Sequence, residues 1–250
     1  MKKIVSLVVA ALVMCSCADS FLSEEPVGEF MPEQVESEEN IEGIVIGAYA
    51  VLDGYYASDA INSGCSNWQF GDVVSDDAYK GGGGTGDQNQ IHLMEIFNAN
   101  PTGIDFEARW AALYEGVKRC NQAIRLLSNS TVKNKEQRLA EMRFLRGHYY
   151  FNLKVIYNLI PWIDETVVDP NEYHTKSNME FTSDQLWEKI LGEFSAAYQV
   201  LPESQSDYGR PTKMAAKAYM AKVYLYQSKW KECLSACDEV IQSGKYTLYP

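Results

Sequence analysis

Apolar positions in this chain recur mostly at three- and four-residue steps, the spacing that places side chains on one face of a helix. Ile41, Ile44, Val45, Ala48 and Leu52 predict a first helix from about Ser37 to Tyr55. Phe106, Trp110, Leu113, Val117, Cys120, Ile124 and Leu127 carry a second, and Leu139, Met142, Leu145, Tyr149, Leu153 and Ile156 a third from about Lys135 to Tyr157. The third must stop before Pro161, which cannot continue a helix. A fourth begins at Thr182 or Ser183, a capping hydroxyl, buries Leu186, Trp187, Ile190, Leu191, Phe194, Ala197 and Tyr198, and ends at Pro202. A fifth runs from about Pro211 to Gln227, with proline in its first turn and small residues Ala215, Ala216, Ala218 and Ala221 for close helix approach. After Ser228-Lys229 a sixth lines Trp230, Cys233, Leu234, Cys237 and Ile241 along one side, read as buried, with Gly244 as its stop. The fold class is all-α.

Residues 56–103 break this rhythm with turn chemistry and read as a long loop inserted after the first helix. Its run Gly81–Gly86 is not followed by Gly-Lys-Ser/Thr, so a phosphate loop is not expected. Antiparallel helix pairs joined by short turns, an alanine-rich helix followed by one opened by tryptophan, resemble tetratricopeptide packing. The last two helices occupy roughly one such repeat.

The ends of the chain add a location. Lys2 and Lys3 precede an uncharged apolar run from Ile4 to Met14, shorter than the ~20 residues of a spanning helix but suited to the core of a secretory signal. Ser16-Cys17-Ala18 then looks like a bacterial lipoprotein processing site, with Cys17 becoming the acylated N-terminus; acyl chains hold a domain on a membrane without a spanning helix. The expected organisation is a signal over 1–16, an acidic tether over 17–36 and a helical domain over 37–250. The tether is rich in Asp and Glu and holds no Lys or Arg, a composition that builds no core of its own. The formal net charge of −12 disfavours nucleic acid and anionic lipid, since phosphate contacts need cations. Cys65, Cys120, Cys233 and Cys237 read as buried thiols, and His92, His148 and His174 lie too far off in sequence to complete a zinc site with them. No cofactor and no metal are expected.

Several strings are familiar together: WAALYEGVKRCNQAI at 110–124, AEMRFLRGHYYFNL at 140–153, IPWIDE at 160–165, GRPTKMAAKAYMAKVYLY at 209–226, YTLYP at the end, and Cys-Ala-Asp-Ser-Phe-Leu after the signal. In this order they resemble the RagB/SusD family of nutrient-uptake lipoproteins of Bacteroidetes. The resemblance implies a SusD-like helical fold and a lipid-anchored, surface-exposed position on the outer membrane. It further implies capture of oligosaccharides or peptides without catalysis, and a SusC-like TonB-dependent barrel as partner. Family members are typically about twice this length, so the resemblance covers their N-terminal half.

Sugar rings are held by aromatic faces and by short carboxylate or amide side chains. The long loop supplies this mixture in Asn67, Trp68, Gln69, Asp72, Asp76, Asp77 and Tyr79, the candidate ligand-binding residues. Adjacent Asp76 and Asp77 do not show the carboxylate separation of a glycosidase, and Asp72, Asp76 and Asp77 lack the regular spacing of a calcium hand. Glu141, Arg143 and Arg146, set among large apolar groups, are expected to be paired, because an unpaired buried charge is costly. Gly147 is expected to admit a neighbouring helix, and His148 to be a hydrogen-bonded core imidazole rather than a base. Three readings follow: a glycan-capturing surface lipoprotein, a tetratricopeptide-like protein scaffold or peptide binder, and, third, a glycoside hydrolase.

Overall fold

A computed structural model describes residues 38–54 and 68–248, which belong to one compact unit. Its helices are α1 (Glu38–Tyr49), α2 (Asn89–Glu95), α3 (Ile104–Asn129), α4 (Lys135–Tyr157), α5 (Pro170–Tyr173), α6 (Ser183–Val200), α7 (Lys213–Tyr226) and α8 (Trp230–Gln242). A 3-10 turn, Ala50–Asp53, extends α1, and a π-helical turn spans Trp68–Val73. No strand occurs among the described residues, and none of their helices is long and apolar enough to cross a membrane.

The six expected helices are present, and local chemistry sets most of their ends. Gly54 stops the first at φ 110°. Thr182 caps α6 in a reciprocal box with Gln185, satisfying two of the helix's orphan N–H groups. Gly244 follows the end of α8 at φ 67°, the left-handed geometry that glycine adopts without penalty. One boundary differs. Pro211 lies outside α7, because the Thr212 hydroxyl accepts the Ala215 N–H at 3.3 Å and makes Thr212 the cap.

The helices pack in chain order: α1 against α3, α3 against α4, α4 against α6, α6 against α7, and α7 against α8. Close contact needs small residues at two crossings. A Cβ on Gly116 would lie 2.6 Å from the Tyr149 ring, and one on Gly147 would lie 2.9 Å from Phe194. The core between them holds Leu113, Val117, Met142, Leu145, Tyr149, Leu153, Ile190 and Phe194. Ala216 and Ala221 serve the α7 packing, but Ala218 faces solvent, contrary to expectation.

Two buried ion networks tie distant segments. Glu141, wholly inaccessible, accepts from Arg138 Nη1 at 2.8 Å, Arg210 Nη1 at 2.7 Å and Tyr49 Oη at 3.0 Å, while Glu42 takes the same two arginines. Arg146 donates to Glu193 at 2.8 Å, to Asn121 Oδ1 at 2.8 Å and to Glu165. The expected pairing therefore holds for Glu141 and Arg146, whereas Arg143 is only half-buried. The IPWIDE segment is clamped by Tyr150, whose ring stacks on Trp162 at 4.0 Å and whose hydroxyl exchanges hydrogen bonds with both the N–H and C=O of Ile163.

The sixth helix is the main departure. Trp230, Leu234 and Ile241 are 63%, 62% and 69% exposed, and Ala236 alone among the described α8 residues is buried. Cys233 and Cys237 are correspondingly half-buried rather than core thiols, whereas Cys120 is fully enclosed, and its burial pushes the thiol pKa well up. Cys17 and Cys65 lie outside the described residues.

Candidate functional site

The segment from Trp68 to Gly103, expected as loop, carries two helical pieces joined by a small apolar seam. Val73 from the π-helical turn and Ile91 and Met94 from α2 are buried together. The seam is fixed to the body by Phe70, which meets Phe106 edge-on at 5.5 Å and lies 5.4 Å below the Arg109 guanidinium. Phe70 thus makes the aromatic connection to the body.

Beyond the turn the chain folds back tightly. Ala78 N–H donates to the Asp72 carbonyl at 2.9 Å, Ser75 Oγ donates to the same carbonyl at 3.2 Å and to Asp77 Oδ2 at 3.1 Å, and Asp76 sits at φ 64°. Asp72, Asp76 and Asp77 all face solvent. The glycine run wraps the protein's own charges. Lys80 Nζ donates to the carbonyls of Gly81 and Gly84, both at 3.0 Å, and the Gly83 N–H donates to Asp87 Oδ2 at 2.9 Å. Inward carbonyls around an ammonium are the reverse of a phosphate cradle, which presents N–H groups.

Lys80 N–H also reaches Glu95 Oε1 at 3.4 Å, which holds the strand of chain bearing Tyr79 against the end of α2. Glu95 in turn pairs with His92 Nδ1 at 3.3 Å. Just past that end, Phe97 adopts φ 55°, uncommon for a bulky side chain. Tyr79 and Phe97 are each 76% exposed and Ile96 is 51% exposed. Two large rings on adjoining segments, with three carboxylates on the neighbouring turn, make a surface suited to an apolar ring face edged by hydroxyls.

Of the residues expected from sequence, Asp72, Asp76, Asp77 and Tyr79 are exposed, on the turn and the segment that follows it. Trp68 is half-buried, and Gln69 is enclosed with its Nε2 unbonded among the described residues, so Gln69 faces the interior rather than solvent. Asn67 lies outside the described residues. Sequence reading missed Phe97, Glu95 and His92. The only signal available was the three-residue step from Ile91 to Met94, too short to stand out. Elsewhere, His148 is a core imidazole as expected. Its Nδ1 meets Tyr219 Oη at 2.6 Å, and burial, with Arg109 and Lys222 nearby, lowers its pKa to about 4.

Comparison with known proteins gives a consistent family. The profile of SusD-like proteins described as "starch-binding associating with outer membrane" matches residues 20–225. SusD-like protein P2 of Formosa agariphila is 24% identical over 96% of this chain and 46% of its own length. Among solved structures, surface glycan-binding protein A of Bacteroides thetaiotaomicron, in complex with laminarihexaose, is 29% identical with TM-score 0.68, over 85% of this chain and 44% of that one. A laminarin-binding SusD-like protein is 26% identical with TM-score 0.69, over 82% of this chain and 43% of that one. The chain thus spans a little under half the length of these relatives.

Proposed function

Because the chain belongs to the SusD-like family, whose glycan-binding proteins are non-catalytic, we propose that it captures an oligosaccharide at the cell surface and passes it to a SusC-like TonB-dependent transporter. The observation that carries the reading is that Tyr79 and Phe97 are both largely exposed, on segments joined by the Lys80–Glu95 hydrogen bond, with exposed Asp72, Asp76 and Asp77 on the turn before Tyr79. In this reading the rings stack on sugar C–H faces and the carboxylates accept from the hydroxyls. Aromatic side chains have only two rotatable bonds and so lose little freedom on binding, which favours affinity. The names of the relatives make a laminarin-type glucan the first ligand to test.

Cys17 supplies the anchor in this account, as the acylated N-terminus after removal of 1–16, and the acidic tether stands between membrane and helical domain. The test is calorimetric titration of the protein beginning at residue 18 against laminarihexaose, maltohexaose and cellohexaose, with analysis of the recovered sugar. Saturable binding of at least one hexaose, returned at its original length, is the expected result. Shortened products would establish a hydrolase, and absence of binding across the panel would favour the protein-scaffold reading.

A further inference from the structure

α3, the 160–165 segment and α5 line a pocket of about 350 Å³. Trp110, Tyr114, Val117, Pro161, Ile163 and Tyr173 form its walls. Its volume is at the small end of ligand pockets, which run to roughly 300–1,000 Å³, enough for one or two side chains rather than a polymer. The aromatic wall is held in place before anything binds. Trp110 packs on Tyr114 at 4.7 Å and edge-on to Tyr157 at 4.9 Å.

Four polar residues of the lining, Tyr114, Glu115, Asn121 and Tyr173, already hold partners within the protein, Tyr173 Oη by donating to the Val167 carbonyl at 3.4 Å. Tyr114 Oη donates to the Pro161 carbonyl at 2.7 Å. Asn121 Nδ2 donates to the Ile163 carbonyl at 2.9 Å, and its Oδ1 accepts from Arg146 at 2.8 Å. Glu115 on the rim takes Arg119 Nε at 2.9 Å. A sugar hydroxyl placed against Tyr114 or Asn121 would compete with bonds already made, and burying it without a hydrogen bond is costly. An apolar side chain incurs no such cost and gains the contact of three rings. The remaining charged group of the lining is Lys118, exposed and without an ion pair among the described residues. Its complement is a carboxylate on the occupant.

We propose that this pocket is a docking point for an extended segment of a second protein, one that inserts a large apolar side chain between Trp110, Tyr114 and Tyr173 and sets an adjacent Asp or Glu against Lys118. A single buried anchor with a charged neighbour is the pattern by which a few residues dominate an interface.

The test follows the Trp110 indole N–H by NMR while the full protein is titrated with the peptide Gly-Asp-Phe-Glu-Gly. Saturable shifts are expected, and Lys118→Glu, an exposed position whose change leaves folding intact, should weaken binding by about fivefold or more. Ala111→Trp, which fills the pocket from an exposed position on α3, should abolish it without lowering the melting temperature. The proposal is overturned if Lys118→Glu binds as tightly as the wild type, or if Gly-Lys-Phe-Lys-Gly binds equally well. Displacement of the peptide from the Trp110 signal by laminarihexaose would overturn it too, by making the pocket a sugar subsite.

Discussion

Gly147 faces Phe194 so closely that the smallest side chain has no room, with atoms of Phe194 and Glu193 at 2.9–3.2 Å from an added Cβ. Alanine is favoured over glycine in a helix by about 1 kcal/mol, but overpacking costs about 1–3 kcal/mol. Because Phe194 is itself fully buried, the steric cost wins, and Gly147→Ala should lose about 1–2 kcal/mol in urea unfolding. Gly192, exposed on α6 with nothing within 4 Å of its would-be Cβ, is the internal control: Gly192→Ala should be neutral or gain up to about 1 kcal/mol. The neighbouring His148 makes a prediction in pH. Its folded pKa of about 4 lies below the ordinary 6.5, so the unfolded chain binds the proton first as pH falls. The stability that neutral His148 contributes is therefore fully present above pH 6.5 and is lost between about 6.5 and 4, by about 3 kcal/mol in all. Unfolding free energies at pH 7 and pH 5 should fall by about 2 kcal/mol in the wild type and clearly less in His148→Gln. Both roles were legible beforehand, because a glycine or histidine among regularly spaced large apolar residues has few ways to be accommodated.

The ion networks belong to the scale of elements, since each joins helices far apart in sequence. Glu141 connects α1, α4 and the turn before α7 through Tyr49, Arg138 and Arg210. Removing one partner of a buried ion pair costs about 3–5 kcal/mol, but here both arginines also reach Glu42. Glu141→Gln should accordingly cost about 3 kcal/mol, the low end, measured as a shift in urea midpoint. Sequence showed that Glu141 needed a partner but not which one. Arg210 lies 69 positions away, and only the assembled fold selects it. The same distinction separates the well-read elements from the poorly read ones. Long helices announce themselves through many periodic positions and local caps such as Thr182. The stretch from Trp68 to Gly103 builds its seam from Val73, Ile91 and Met94 across a glycine-rich turn, and no local pattern carries that pairing. Phe97's positive φ likewise depends on what surrounds it.

At the scale of the whole molecule, periodicity identifies a helix but not what covers it. The spacing of Trp230, Leu234 and Ile241 predicts burial, yet they line an open face of α8, with Leu225 and Tyr226 of α7 also about half exposed. An apolar face of this kind drives association. Sedimentation velocity on this chain should show concentration-dependent self-association that the triple change Trp230→Ser, Leu234→Ser, Ile241→Ser reduces; equal behaviour of the two would contradict it. The proposed glycan surface stands apart from that face in sequence and rests on exposed rings whose loss should leave the core untouched. The most direct measurement is calorimetric titration of wild type, Tyr79→Ala and Phe97→Ala with the hexaose that binds best. The account predicts that each variant keeps the wild-type melting temperature and loses about tenfold or more in affinity, the effect of removing an aromatic hot spot. Wild-type affinity in both variants would contradict it.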